Sequence, residues 1–112
     1  MHAFRRSSLG TEFHSPLQYS ISSSPLDEPT RATLTIAVID APHISGRGMR
    51  YYGTATHFLS TLIPGSRLRA GVKPSAEQFH PPTDPVVDIL MAASGSGIAP
   101  FRGFVQERAL QK

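Results

Sequence analysis

At 112 residues, 39% hydrophobic and 17% charged, with ten Pro and nine Gly, the chain is one domain's worth of short, often interrupted elements, which excludes a disordered tail and a long charged helix. The net charge of +3 is scattered without a run of like charges or an aromatic-basic motif, and the five His are too dispersed for metal-ligand spacing. With no cysteine for disulfides or thiolate chemistry, and no apolar run near the roughly 18 residues of a bilayer span, a cytoplasmic chain with no metal, nucleic-acid or membrane segment is expected.

Residues 1–15 carry no periodicity and end at His14-Ser15-Pro16, so a disordered lead-in is expected there. LQYSIS (17–22) alternates Leu17, Tyr19 and Ile21 with polar residues, the period of a half-buried strand. Two prolines then break the chain, and ATLTIAVID (32–40), rich in β-branched residues, is the strongest strand candidate. APHISGRGMRYYG forms a loop or long hairpin connection turning near Gly46-Arg47-Gly48.

From Thr54 the period changes to that of a helix. Ala55, Phe58, Leu59 and Leu62 make one apolar stripe before Pro64-Gly65. RLRAGVK (67–73) alternates again, with a basic outer face, and EQFHPPTDP is a Pro-rich crossing between two structural units. VVDILMAA (86–93) is a nearly continuous apolar run, the pattern of a strand covered on both faces. After Gly95-Ser96-Gly97 a helix opens on Ala99-Pro100, with Phe101, Phe104 and Val105 on one side.

Three constellations could carry chemistry. Gly95-Ser96-Gly97 between strand and helix lets backbone approach an anion, with Ser96 as a further donor; a plain strand-turn-helix connection fits equally. Pro100 stands where the third glycine of a dinucleotide fingerprint would be. Gly53-Thr54-Ala55-Thr56 opens a second short helix, either as an anion cradle or as an ordinary cap by Thr54 or Thr56. Gln18-Tyr19-Ser20 could cover a planar ligand with its ring and donate a hydroxyl, or simply place a tyrosine in a core.

In this order, LQYSISSSP, LTIAVIDAP, YYGTATHFL and ILMAASGSGIAPFRGFVQERA resemble the FAD- and NADPH-binding reductase module of the diflavin reductases, nearest to the reductase half of self-sufficient haem-thiolate monooxygenase fusions. The resemblance covers about residues 16–111 and is most specific in GSGIAPFRGF. It implies an α+β chain, mainly β with short helices. Residues 16–82 would be part of a ferredoxin-reductase-type antiparallel flavin barrel, and residues 83–112 the first βα unit of a Rossmann-like NADP domain.

The resemblance also implies roles. Tyr19 would lie against the flavin ring, Ser20 near its reactive nitrogen, and Thr35, Ile36 and Ala37 near the adenine side of FAD. Gly53, Thr54, Ala55 and Thr56 would hold the FAD diphosphate, and Gly95, Ser96 and Gly97 would touch NADPH. No catalytic side chain is assigned, because the cofactors would carry the redox chemistry. The partner would be a haemoprotein electron acceptor or the remaining reductase segments, with the FMN module outside this stretch.

Leu17 departs from the pattern, occupying the place of the family's diphosphate-pairing arginine. A middle piece of a larger reductase would also leave strand edges unpaired. The alternative expectation is therefore a truncated, catalytically inert fragment that retains no cofactor.

Overall fold

Prolines at 25, 29, 42, 64, 74, 81, 82 and 85 remove backbone donors so often that no ladder can run far. A computed structural model, describing residues 2–4, 17–42, 48–76 and 79–111, has strands of three residues each. These are β1 (His2–Phe4), β2 (Leu17–Tyr19), β3 (Asp40–Pro42), β4 (Arg50–Tyr52) and β5 (Ala70–Val72). Helix α1 covers Thr54–Ser60, and a 3₁₀ turn at Gly95–Ile98 runs into helix α2, Ala99–Leu110. The result is a small α+β chain with limited antiparallel pairing, and its described residues fall into two compact units.

One unit takes the residues up to Thr35 and those from Arg69 onward. Its antiparallel sheet has the order β2-β1-β5, with Ala3 opposite Gln18 on one side and Gly71 on the other. β1 lies within the stretch expected to be a disordered lead-in. Its backbone is partnered along both edges, so pairing fixes it where side-chain periodicity gives no signal. The rest of that lead-in lies outside the described residues.

Beyond β2, Ile21 bridges Leu34 and the Ser22 N–H donates to the Thr33 carbonyl at 2.8 Å. Helix α2 lies against this turn through Ala99 and Gly103, both buried and four residues apart on one face. A Cβ on Gly103 would sit 3.3 Å from the Ser23 carbonyl oxygen, so a glycine lets the backbones close. Phe79, Phe101 and Phe104 form a tilted triad with ring centroids 5.6 to 6.2 Å apart, within the favourable range for edge-on aromatic contact. Val105, expected on the same side as the phenylalanines, is exposed.

Two expected strands are corrected. Residues 86–93 form no strand; Val86 is 84% and Leu90 98% exposed. A doubly covered strand needs neighbours, and among the described residues none hydrogen-bonds to this run as a ladder. Its backbone is instead held by Arg108 of α2, which donates to the carbonyls of Asp84 at 2.8 Å and Val87 at 3.3 Å. The stretch 32–40 is likewise no continuous strand. Leu34 makes an isolated bridge and pairing resumes only at Asp40, because β-branched composition favours extended backbone but cannot supply a partner in register.

The second unit is Ile36–Leu68. β3 and β4 pair antiparallel, Ala41 opposite Tyr51, as the long hairpin connection required. Gly48, at φ +68, takes a left-handed turn that a glycine adopts without strain; residues 43–47 lie outside the described residues. In α1 Ala55 is buried and Phe58 and Leu59 are half-buried, with Leu62 half-buried just past the end, so the apolar stripe is the one expected. The helix stops at Thr61, short of Pro64-Gly65.

Candidate functional site

The residues expected to touch cofactors divide between the two units. Tyr19, Ser20, Thr35, Gly95, Ser96 and Gly97 lie in the first, and Ile36, Ala37, Gly53, Thr54, Ala55 and Thr56 in the second.

In the first unit the glycine loop is open. Gly95 has φ +54, and a Cβ added at Gly95 or Gly97 would meet nothing within 4 Å. The absence of side chains therefore leaves space directly above the backbone, as close approach of a diphosphate requires. The Gly97 N–H is turned inward to the Ser94 carbonyl at 3.0 Å, and Ser96 is exposed. The first turn of α2 carries no charged side chain; Arg102, one turn on, is directed to the Ser22 carbonyl at 2.6 Å. An anion here would rest on backbone dipoles and the Ser96 hydroxyl.

Tyr19 ends β2 half-buried, and Ser20 follows it half-buried. Ser20 and Ile21 line one side of a groove of about 840 Å³, with Phe79, Pro81 and Phe104 among the other walls. Thr35 is half-buried and outside any ladder.

In the second unit Gly53 caps α1 with extended backbone, φ −60 and ψ 121, and donates its N–H to the Ile39 carbonyl at 3.2 Å. Neither Thr54 nor Thr56 caps the helix start through its side chain; the Thr56 hydroxyl turns back to the Gly53 carbonyl at 3.5 Å. A Cβ at Gly53 would stand 2.6 Å from the Thr56 hydroxyl oxygen and 3.3 Å from the Ile39 Cβ, so no side chain fits at Gly53, whereas one at Gly95 or Gly97 would meet open space. Thr54 is exposed and Ala55 buried, with Ile36 half-buried and Ala37 exposed upstream. Across the hairpin, Arg50 Nε donates to Asp40 Oδ1 at 2.6 Å. That hydrogen bond, reinforced by charge, holds the Asp40 carboxyl below the usual carboxylate range and raises the Arg50 guanidinium.

Sequence periodicity gave no sign of the contact that organises the first unit. Ser22 and Ser24, 1% and 2% exposed, are its buried polar side chains among the described residues. They read as loop punctuation in SSSP, yet both are partnered: the Ser22 hydroxyl pairs with the Thr33 hydroxyl at 3.0 Å, while the Ser24 N–H donates to Gln106 Oε1 of α2 at 2.9 Å and the Ser24 hydroxyl reaches Glu107 Oε2 at 3.5 Å. The available signal was the polar face of α2, Arg102, Gln106 and Glu107, opposite no other assigned surface. Among the described residues no group of three or more His, Asp, Glu or Cys is placed to hold a metal ion, and no helix is long and apolar enough to cross a membrane.

Comparison with known proteins gives relatives at about half identity. The chain is 50% identical over 95 residues to a self-sufficient cytochrome P450 monooxygenase of Phanerodontia chrysosporium, covering 85% of this chain and 9% of the relative. It is 52% identical over 93 residues to a bifunctional cytochrome P450/NADPH–P450 reductase of Fusarium oxysporum, covering 82% and 9%. With one of the same description from Acremonium egyptiacum it shares 46% identity over 97 residues, covering 86% and 9%. The chain thus spans about a tenth of the length of the curated relatives it matches. No family model matches it. No solved structure matches it either.

Proposed function

We propose that this chain, a homologue at about half identity of one short segment of the cytochrome P450/NADPH–P450 reductase fusions, supplies part of the flavin- and nicotinamide-contacting surface that feeds electrons to a haemoprotein. In this reading residues 16–82 belong to an FAD-binding barrel and residues 83–112 open the NADP-binding domain. When bound, NADPH supplies hydride and the flavin accepts it for onward transfer of single electrons. The chain's own residues bind and orient. Gly95 and Gly97 admit a diphosphate to the backbone, where the open space above both fits such a group, and Ser96 donates to it.

Tyr19 covers the flavin ring and excludes water from that face, while Ser20 donates a hydrogen bond at its polar edge. Thr35, Ile36 and Ala37 flank the adenine side. Thr54, Ala55 and Thr56, with Gly53 at their head, orient the FAD diphosphate. The observation that carries this reading is the homology over more than four fifths of the chain to two proteins named for both a P450 and its NADPH reductase.

The experiment is direct. The purified chain is titrated with FAD and separately with NADP+, following flavin fluorescence and heat of binding. Saturable binding of both is expected, with FAD binding weakened in Tyr19→Ala; absence of saturable binding for either ligand overturns the reading. A second reading, an inert fragment that holds no cofactor, is favoured by one observation: exposed Leu17 stands where the family resemblance calls for a cation.

A further inference from the structure

We propose that α2 is a positioning element, in which Arg102 and Gln106 fix the turn after β2 so that a dinucleotide at residues 95–97 and a flavin at Tyr19–Ser20 alter each other's binding. This rests on the cofactor reading of those two places, and adds to it a reason for the two to communicate.

The contact is polar where helix packing is ordinarily apolar. Only Ala99 and Gly103 of α2 are buried, while its half-buried Phe101 and Phe104 meet the exposed Phe79 ring, an apolar contact that is non-directional and leaves the register of the helix to polar groups. Its register is set by hydrogen bonds to residues some 80 positions earlier. Arg102 Nη1 donates to the Ser22 carbonyl at 2.6 Å and reaches Thr33 Oγ1 at 3.3 Å. One turn on, the Gln106 side chain accepts from the Ser24 N–H at 2.9 Å and donates to the Asp27 carboxylate. Buried polar groups that lose a partner are costly, so this arrangement holds one position rather than sliding among several.

Both ends of the contact lead to a cofactor contact. Ser22 lies two residues beyond Ser20, and Thr33, bonded to Ser22 through backbone and hydroxyl, lies two residues before Thr35. At the other end α2 continues directly from the 3₁₀ turn that contains Gly95, Ser96 and Gly97. A helix transmits a displacement of its first turn to its second with little loss. Ordering of the 95–97 loop by a dinucleotide therefore orders the end of β2, where Tyr19 lies, and Ser20 just beyond it. By linkage the effect is reciprocal.

The test uses the whole 112-residue chain. FAD affinity is measured by flavin fluorescence with and without saturating NADP+. In the unaltered chain NADP+ is expected to tighten FAD by about fivefold or more. Arg102→Ala should bring that ratio close to one, and Arg102→Lys, which keeps a donor for the Ser22 carbonyl, should restore part of it. Gln106→Glu keeps the acceptor for the Ser24 N–H but sets a second carboxylate against Asp27. Its ratio should fall toward one at neutral pH.

A merely structural role would lower both affinities and leave the ratio unchanged. Should Arg102→Ala fail to fold, Arg102→Lys and Gln106→Glu decide. If the unaltered chain binds both ligands with a ratio of one, or if Gln106→Glu leaves the ratio intact at neutral pH, the coupling is refuted while the cofactor reading stands. If it binds neither ligand, the cofactor reading has failed and takes the coupling with it.

Discussion

Leu17 is 48% exposed on β2, opposite Phe4 in register. An exposed strand position of this kind accepts a long polar side chain without repacking, since the stem can lie on the sheet while the head remains in water. Under the proposed function an arginine there would gain a charge-assisted hydrogen bond to the FAD diphosphate, worth about 1.5–3 kcal/mol. Leu17→Arg is therefore expected to tighten FAD by about ten- to a hundredfold, measured by the same fluorescence titration. An unchanged affinity would mean that β2 does not approach the diphosphate. Gly103 shows the complementary constraint: a Cβ there would press on the Ser23 carbonyl oxygen at 3.3 Å, a requirement that single-residue identity alone could not announce.

Among the elements, the hairpin of β3 and β4 has a measurable acid sensitivity. The Arg50 hydrogen bond lowers the Asp40 pKa in the folded chain below its unfolded value, so the pair's contribution is present above about pH 4 and is lost as pH falls through the lower folded value. Raising the Arg50 pKa has its consequence only in strong alkali, where the contribution disappears as pH rises through the raised value. Both side chains are exposed, so salt also weakens the pair. Protection of the amides at 40, 41 and 50–52, taken as exchange rate relative to the unprotected chain at the same pH, should fall on acidification from about pH 6 to about pH 2, and Asp40→Asn should be less protected than the parent near pH 6 and respond less to acid.

The same element scale explains what the amino acids disclosed. The α1 stripe and the α2 start at Ala99-Pro100 were legible because a helix satisfies its backbone internally, so its period is written in its own residues. Strands at 32–40 and 86–93 were not, because a strand's existence depends on a partner elsewhere. β1 was missed for the converse reason, its place being set by β2 and β5 rather than by His2, Ala3 and Phe4. At the candidate site the open turn at Gly95-Ser96-Gly97 was readable from its glycines, whereas the Ser22 and Ser24 contact with α2 depends on long-range packing that no local pattern encodes.

At the scale of the whole molecule the balance of surface is unusual. Ala55 and Ala99 are the buried hydrophobic residues among those described, while Val72, Val86 and Leu90 are 81%, 84% and 98% exposed. Apolar side chains so fully in water gain most from any surface that covers them, and under the proposed function that surface is the remainder of a larger reductase. A net charge of +3 opposes association only weakly once salt screens it. The isolated chain is therefore expected to self-associate with rising concentration in sedimentation velocity. The double substitution Val86→Lys, Leu90→Lys should shift it toward monomer with an unchanged far-ultraviolet circular dichroism spectrum, because neither side chain supports a helix or a ladder. If the parent stays monomeric throughout, or the lysine variant associates equally, exposure at 86–90 does not drive assembly; if the variant loses helical signal, those residues support the fold itself.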